Sequence, residues 1–288
     1  MAAGRLRPVA CLCELTSTTG VARRPQISPG AIVPYRPAGT IGSMLRDVLD
    51  AFLPRNCAGC GSAGVGLCEA CGHRFVGEAA LPLPAEAITP TPPAAPVAGA
   101  ASTTATVTVT TTGRYAATTR ALLLAYKERG RRDLAPVLGD RLAMAIRFAA
   151  AAAPSDCRPL LVVGVPASPG ALRRRGFDHV AELVRAAPGV PAPSRVLRWR
   201  RRVADQTALD ASARAANVAG ALVVRQRWRR SAEGFGRPPG VLLVDDVVTT
   251  GATLREAGRA CRAAGFPVVG AVAVAGTPFL RRARVPAL

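Results

Sequence analysis

Residues 241–253 read Val-Leu-Leu-Val-Asp-Asp-Val-Val-Thr-Thr-Gly-Ala-Thr. The four leading apolar residues predict a buried strand of a parallel sheet, with the carboxylates of Asp245 and Asp246 where that strand is predicted to end. The Thr/Gly-rich turn then opens a helix predicted over 252–264, with Gly265 as its stop. Adjacent carboxylates can accept hydrogen bonds from two neighbouring ribose hydroxyls. Because the turn's N–H groups can surround a phosphate at the positive end of the helix dipole, the stretch predicts a site for a phosphorylated sugar.

Strand and helix patterns alternate along the chain from residue 106 onward. Further strands are predicted over 106–112, 160–165, 195–197, 221–224 and 268–275. Further helices are predicted over 115–129, 133–150 and 177–187, and residues 166–170 are predicted as a turn. Strands that alternate with helices imply a mainly parallel sheet with right-handed crossovers. The predicted fold class is therefore α/β.

Two Cys-x-x-Cys pairs, with seven residues between them, precede the α/β region. This spacing is typical of four thiolates that hold one tetrahedral zinc ion, and a full thiolate set leaves no open position, so the predicted zinc is structural. A redox pair ranks lower, because it normally stands alone at the start of a helix. The predicted ligands are Cys57, Cys60, Cys68 and Cys71.

The charge of the chain is strongly basic. There are 38 Lys and Arg residues against 18 Asp and Glu residues, a net charge of +20, and Lys127 is the only lysine. Such an excess favours contact with phosphates of nucleic acid, nucleotides or pyrophosphate. No apolar run approaches the roughly 20 residues that span a bilayer, and the first residues lack a signal-peptide core, so a cytoplasmic protein is expected.

The run 241–253 resembles the signature of the type I phosphoribosyltransferases over its whole length. The resemblance implies that Asp245 and Asp246 hold the 2′ and 3′ hydroxyls of phosphoribosyl pyrophosphate. It implies that the 5′-phosphate is held by the following loop. The loop residues are Thr249, Thr250, Gly251, Ala252 and Thr253. It also implies Mg²⁺, bound together with the substrate's pyrophosphate.

With the cysteine pairs ahead of it, the chain resembles a narrower group, the ComF family of bacteria. The stretches that carry this resemblance are 115–130, 163–177 and 206–221, the last with the pattern Q-x-x-L…R-x-x-N-V-x-G-A. The family is associated with natural competence, meaning DNA uptake, alongside a helicase-like partner. The resemblance implies further substrate-binding positions at Ala167, Ser168, Arg173, Arg175, Gln206 and Arg214. The chain departs from the family pattern in the pyrophosphate loop, where Gly170-Ala171 stands in place of a basic pair.

Four regions are predicted from these features. Residues 1–43 form a disordered extension, 44–78 a zinc ribbon, 79–105 a linker and 106–288 a phosphoribosyltransferase-like domain.

Two functions of different classes stay open at this point. The first is a phosphoribosyltransferase that uses Mg²⁺. The second is a non-catalytic protein on the same fold, which senses a ligand or binds single-stranded DNA as an accessory protein, since fold alone does not determine function.

Trp199 and Trp228 each lie among arginines, so each either stacks on bases or anchors a loop to the sheet. His179 has no recognisable partner in the sequence.

Overall fold

A computed structural model describes residues 56–88, 107–157, 159–203, 211–234 and 238–277. The predicted disordered extension over 1–43, most of the predicted linker, and Gln206 lie outside these residues. None of the helices in the described part of the chain combines the length and hydropathy that a bilayer crossing needs.

The described residues form an alternation of helices and strands. The helices are α1 (Glu69–Gly77), α2 (Ala117–Glu128), α3 (Ala135–Ala151), α4 (Pro169–Arg175), α5 (His179–Ala186), α6 (Ala211–Val218), α7 (Gln226–Gly234) and α8 (Ala252–Arg262). The strands are β1 (Ala79–Ile88), β2 (Val107–Gly113), β3 (Leu160–Gly164), β4 (Leu197–Trp199), β5 (Leu222–Val224), β6 (Gly240–Val248) and β7 (Val268–Gly276). Short 3₁₀ turns cover Arg132–Leu134 and Ser155–Cys157.

The main sheet has the strand order β1-β2-β7-β6-β3. Strands β2, β7, β6 and β3 run parallel, and β1 adds to the edge in the antiparallel direction. Apolar residues of the interior strand β6, such as Leu242 and Leu243, are fully buried. This arrangement confirms the α/β prediction with a parallel sheet. The strands predicted near 195 and 221 pair instead as a separate antiparallel ribbon, β4–β5.

One sequence-based prediction is wrong at its start, because the predicted linker 79–105 begins with the strand Ala79–Ile88. Its prolines at 82 and 84 and its many alanines gave it the composition of a linker. Proline cannot donate a ladder hydrogen bond, so it is tolerated only where a strand lies at the edge of a sheet. Strand β1 occupies such an edge and pairs only with β2 in the described sheet.

A second correction concerns the acidic pair, which the sequence analysis put at the end of its strand. Strand β6 continues to Val248, with Asp245 opposite Ala273 and Val247 opposite Ala275 of β7. Consecutive residues of a strand face opposite sides of the sheet. The two carboxylates therefore belong to different sides of β6 and have different neighbours.

Apolar layers cover both faces of the sheet. On one side, Leu122 of α2, Ile146 of α3 and Leu183 of α5 pack against the sheet. On the other side, Leu254 of α8 and Leu222 of the β4–β5 ribbon do so. These two layers carry the candidate site, because α2 and α5 reach it from one face and α8 reaches it from the other.

Helices α3 and α5 approach so closely that only glycine fits at position 139. A Cβ atom there would lie 2.7 Å from both the carbonyl carbon and oxygen of Ala186. We expect Gly139→Ala to lower the free energy of unfolding by about 1–3 kcal/mol through this backbone clash, although alanine favours helices by about 1 kcal/mol. Urea denaturation measures the change.

The matched control is Gly77→Ala in α1, where a Cβ atom would meet nothing within 4 Å. That substitution is expected to leave stability unchanged or raise it. Equal stability of the two variants would contradict the close α3–α5 approach.

Candidate functional site

A cavity of about 360 Å³ opens at the carboxyl ends of the parallel strands β3 and β6. Open α/β sheets bind ligands at this edge. The lining combines residues from α2 and the segment before it, the loop after β3 with α4 and α5, the end of β4, α6, and the end of β6. Its polar members include Tyr115, Lys127, Glu128, Ser168, Arg174, Arg175, His179, Trp199, Arg214, Asp245, Asp246, Thr249 and Thr253.

The carboxylate of Asp246 is held in an ion pair beneath the cavity. The Lys127 ammonium lies 2.9 Å from its Oδ2 atom and donates a hydrogen bond of 3.2 Å to its Oδ1 atom. His179 Nε2 lies 3.6 Å from the same Oδ2 atom, and the Asp246 side chain is only 3% exposed. Burial alone would raise the pKa of Asp246, but Lys127 and then His179 outweigh it and hold that pKa well below its usual range.

The carboxylate of Asp245 has the opposite electrostatics. Burial, followed by the negative charge of Asp246, raises the pKa of Asp245 well above its usual range. Its Oδ1 atom accepts a 2.9 Å hydrogen bond from the backbone N–H of Asp246, and Asp245 also lines a second, smaller pocket. The two acids therefore form an unequal pair, in which Asp246 is matched by a cation and Asp245 faces space that a ligand can fill.

The turn from Thr249 to Thr253 forms that second pocket, of about 20 Å³, at the start of α8. Gly251 adopts φ 69°, a left-handed conformation that favours glycine. Thr250 shapes the turn, because its Oγ1 accepts from Ala252 N at 3.4 Å and its carbonyl accepts from Arg255 Nη1 at 2.8 Å. The first N–H groups of a helix have no acceptors within it, so this pocket is suited to an anion.

The loop after β3 borders the cavity and runs directly into a helix, so the predicted turn at 166–170 is wrong in its second half. Helix α4 begins at Pro169, and Ser168 caps it by accepting a hydrogen bond from Ala171 N at 3.2 Å. Ala167 and Ser168, for which substrate binding is predicted, both line the cavity. The loop itself offers hydroxyl and backbone groups there, and no basic side chain.

The arginines of α4 divide into two groups. Arg174 and Arg175 line the cavity, whereas Arg173 is exposed and is not among the lining residues. Arg175 is already paired, because its Nη2 atom lies 2.6 Å from Glu128 Oε1. The substrate-binding prediction thus fits the position of Arg175 and does not fit that of Arg173.

The β4–β5 ribbon and α6 form one wall of the cavity. Trp199 Nε1 donates to the Pro166 carbonyl at 2.9 Å and so ties this wall to the loop after β3. Trp228 is buried and donates to the Arg195 carbonyl at 3.1 Å. Both contacts favour the loop-anchoring interpretation of the tryptophans. Arg214 of α6, for which substrate binding is predicted, also lines the cavity.

A buried acid fastens the same wall to the helix that carries the anion pocket. Glu256 of α8 accepts a 2.9 Å hydrogen bond from Leu222 N of β5 and is paired with Arg259 at 2.7 Å. Arg259 in turn donates to the Leu222 carbonyl at 3.1 Å. The wall and the anion pocket are therefore held in one arrangement.

Two polar residues of the site, Lys127 and His179, were missed as site residues by the sequence analysis. Lys127 had one usable signal, since it is the only lysine among 38 basic residues. An ammonium is a compact charge, which differs from a guanidinium in shape and in the geometry of its donors. His179 had no such signal, because its proximity to Asp246 depends on the packing of α5 against β6.

The four cysteines of the predicted ligand set lie together. Their Sγ atoms are all within 4.8 Å of one another, and those of Cys60 and Cys68 are 3.7 Å apart. Tetrahedral coordination with Zn–S bonds of about 2.3 Å implies sulfur separations of about 3.8 Å. Burial and then the neighbouring thiols raise the pKa of Cys71 to about 12. Four thiolates can share so small a volume only around a cation, so the donor set fits a divalent metal.

The cysteine cluster is joined to the cavity through α2. Glu78, just after α1, accepts hydrogen bonds from Thr118 N at 3.0 Å and Thr119 N at 2.8 Å at the start of α2. Buried Arg141 donates to Thr119 Oγ1 at 2.8 Å and stacks on the Phe75 ring of α1, 3.6 Å from its centroid. Helix α2 ends at the cavity, where it carries Lys127.

Comparison with known proteins adds no family assignment to this geometry. No protein-family model matches the chain, and no curated protein shows significant sequence similarity to it.

Proposed function

We propose that this chain is a phosphoribosyltransferase-like protein that binds phosphoribosyl pyrophosphate, or a nucleotide, together with Mg²⁺ in the 360 Å³ cavity. One observation carries the proposal: Asp245 lines both the main cavity and the anion pocket at the start of α8. A ribose 5-phosphate group presents hydroxyls and a phosphate at such a short separation. The parallel sheet with helices on both faces is compatible with the type I phosphoribosyltransferase fold.

In the proposed reaction, the C1–O bond breaks and its electron pair leaves with the pyrophosphate oxygen. A nitrogen of the accepting base forms the new bond to C1 with its lone pair, and the proton of that nitrogen passes to the released pyrophosphate or to solvent. The chain's part is to position the partners and to stabilise charge. Asp245 accepts the ribose hydroxyls, and the α8 pocket binds the 5′-phosphate. Mg²⁺, held mainly by substrate oxygens with Asp245 as the available carboxylate, would supply neutralising charge to the pyrophosphate.

We further propose a structural zinc on Cys57, Cys60, Cys68 and Cys71, and membership of the ComF type of competence proteins, with DNA uptake as the process served and a helicase-like partner. The sulfur geometry supports a tetrahedral metal. The family proposal rests on the cysteine spacing and on the stretches at 115–130, 163–177 and 206–221.

The second candidate is a non-catalytic ligand sensor or single-stranded-DNA-binding protein on the same fold. The absence of basic side chains from the loop after β3 favours sensing over turnover. A basic surface at the β4–β5 ribbon favours DNA binding. Burial lowers the pKa of Arg225 there, and three neighbouring positive charges add to the shift. Those neighbours are Arg195, Arg198 and Arg227.

The proposal is tested by calorimetric titration of phosphoribosyl pyrophosphate with Mg²⁺ into the parent chain and into Asp245→Asn. The parent is expected to bind, and Asp245→Asn is expected to bind about 10- to 100-fold more weakly, because hydrogen bonds to a charged acceptor contribute about 1.5–3 kcal/mol. The matched control is Asp140→Asn, which replaces an exposed residue of α3 outside the cavity lining and is expected to bind as the parent does.

Three further outcomes separate the candidate functions. Pyrophosphate release with any member of a panel of bases supports the transferase. Tight binding without release supports the sensor. No binding of the sugar phosphate, combined with salt-sensitive association with single strands, contradicts the site assignment and supports the DNA-binding protein.

A further inference from the structure

Lys127 lies where the two acids and the cavity meet, and it differs from the other cations of the site. Its side chain is 29% exposed, and it lines the cavity from the last turn of α2. Within the described residues, Asp246 is the acceptor that its ammonium contacts, through both carboxylate oxygens. An ammonium has three donors, so the group can face a ligand while it stays paired with Asp246.

The partner acid, Asp246, also lines the cavity, but its side chain is only 3% exposed and so offers a ligand little surface. The Oδ2 atom of Asp246 is buried from solvent, and its carboxylate is covered by Lys127 on one side and His179 on another. Asp246 is therefore better suited to position Lys127 than to bind a hydroxyl directly. Asp245, which is only partly buried, is the acid that offers a ligand more surface.

The charge of Lys127 is spatially distinct from the anion pocket of α8. The lining of the small pocket includes Asp245 and the residues from Val247 to Leu254, and it does not include Lys127. An anion bound in that pocket consequently leaves Lys127 available. A ligand that satisfies both features carries two separate anionic groups.

Other cations are poorly placed to take over this second anion. The loop after β3 has no basic side chain, and Arg175 is paired with Glu128 at 2.6 Å. Arg174 is exposed at the cavity and makes interactions of its own. Arg214 of α6 also lines the cavity and makes interactions of its own. Lys127 is set apart from these arginines by its ion pair with Asp246.

We propose that Lys127 is a specificity-determining residue that contacts an anionic group on C1 of the bound pentose, with Asp246 as its positioning residue. The site consequently selects pentose phosphates that carry a second phosphate or diphosphate at C1 over those that end there in a hydroxyl. This inference rests on the proposed function, because it takes the α8 pocket as the site of the 5′-phosphate.

The test compares the affinities of phosphoribosyl pyrophosphate and ribose 5-phosphate, both with Mg²⁺, for the parent and for Lys127→Gln. Glutamine keeps a donor for Asp246 but removes the charge. The parent is expected to prefer phosphoribosyl pyrophosphate. In Lys127→Gln the ratio of the two affinities is expected to fall by about tenfold or more, while the affinity for ribose 5-phosphate stays within about threefold.

A second variant guards against a folding defect. Lys127→Met/Asp246→Asn leaves no unpaired charge, and it is expected to lose the same selectivity. Arg185→Gln removes an exposed cation of α5 outside the cavity lining and is expected to keep the parent's ratio. Circular dichroism and thermal melting establish that each variant is folded before its affinities are compared.

The outcomes distinguish this inference from the function on which it rests. If the parent binds neither ligand, the proposed function itself fails. If the parent binds both with a clear preference, and both Lys127 variants keep that preference, the proposed function stands and the role of Lys127 is overturned. If Lys127→Arg regains the preference for phosphoribosyl pyrophosphate that Lys127→Gln has lost, the positive charge at position 127 determines the selectivity.

Discussion

Replacement of Lys127 by methionine is expected to lower the free energy of unfolding by about 3–5 kcal/mol, because the carboxylate of Asp246 stays buried without its partner. The Asp246 side chain is 3% exposed, and the Lys127 ammonium lies 2.9 Å from it. The double variant Lys127→Met/Asp246→Leu removes both charges and is expected to recover most of the loss, since apolar replacement of a buried pair is often neutral or stabilising. Urea denaturation at neutral pH measures both changes.

The loss of stability in Lys127→Met is expected to depend on pH in a definite direction. The folded-state pKa of Asp246 is depressed, so its contribution to stability is present above its unfolded-state pKa of about 3.9 and is lost as the pH falls through the folded-state value. The pKa of Lys127 is raised, because its attraction to Asp246 and Asp245 outweighs burial, so its contribution is lost only as the pH rises through that higher value. The stability difference between parent and Lys127→Met is therefore expected to be large at neutral pH and to narrow towards acid.

The matched control is an exposed ion pair. Arg132 Nε lies 2.7 Å from Glu182 Oε1, but the arginine side chain is 61% exposed. Arg132→Met is expected to cost at most about 1 kcal/mol, because solvent screens surface pairs. A Lys127→Met variant as stable as this control would mean that Asp246 is not held as a buried charge.

Removal of the metal proposed for the cysteine cluster is expected to unfold the segment that holds it, residues 56–78. Structural zinc contributes an apparent free energy of about 10–16 kcal/mol in zinc-finger peptides, so a small knuckle depends on it for folding. We expect one zinc per parent chain and none in Cys71→Ser, because the buried thiol of Cys71 completes the set of four. Elemental analysis measures the metal, and hydrogen exchange over residues 56–78 measures the loss of structure.

The effect is expected to extend beyond the knuckle to the start of α2. Phe75 is packed under Arg141, and Glu78 accepts hydrogen bonds from Thr118 and Thr119, so loosening α1 exposes both contacts. His73→Ala is the control, since this half-exposed side chain lies outside the sulfur cluster. It is expected to keep the zinc and the slow exchange. A parent chain that is metal-free and still protected over 56–78 would contradict the metal site.

The sequence by itself determined those features whose chemistry is local. The apolar run 241–244, the hydroxyl-rich turn and Gly251 specify a buried strand, a tight turn and a helix start without reference to distant residues. The spacing of the cysteine pairs is likewise a local pattern, and alternation of strands with helices was enough for the α/β class. The sequence pattern failed where tertiary contacts outweigh local strand propensity. The proline-containing segment β1 has the composition of a linker, but it forms a strand because its position at the sheet edge tolerates proline.

Only the tertiary structure decided which groups surround the two acids. Lys127 is 119 residues away from Asp246 along the chain, and no local pattern relates them. Because β6 continues through both acids and turns them to opposite faces, Asp246 meets α2 and α5, whereas Asp245 meets the start of α8. Equivalent neighbours in the sequence thus acquire opposite pKa shifts, since the electrostatic environment of a buried carboxylate is set by the elements that pack against it.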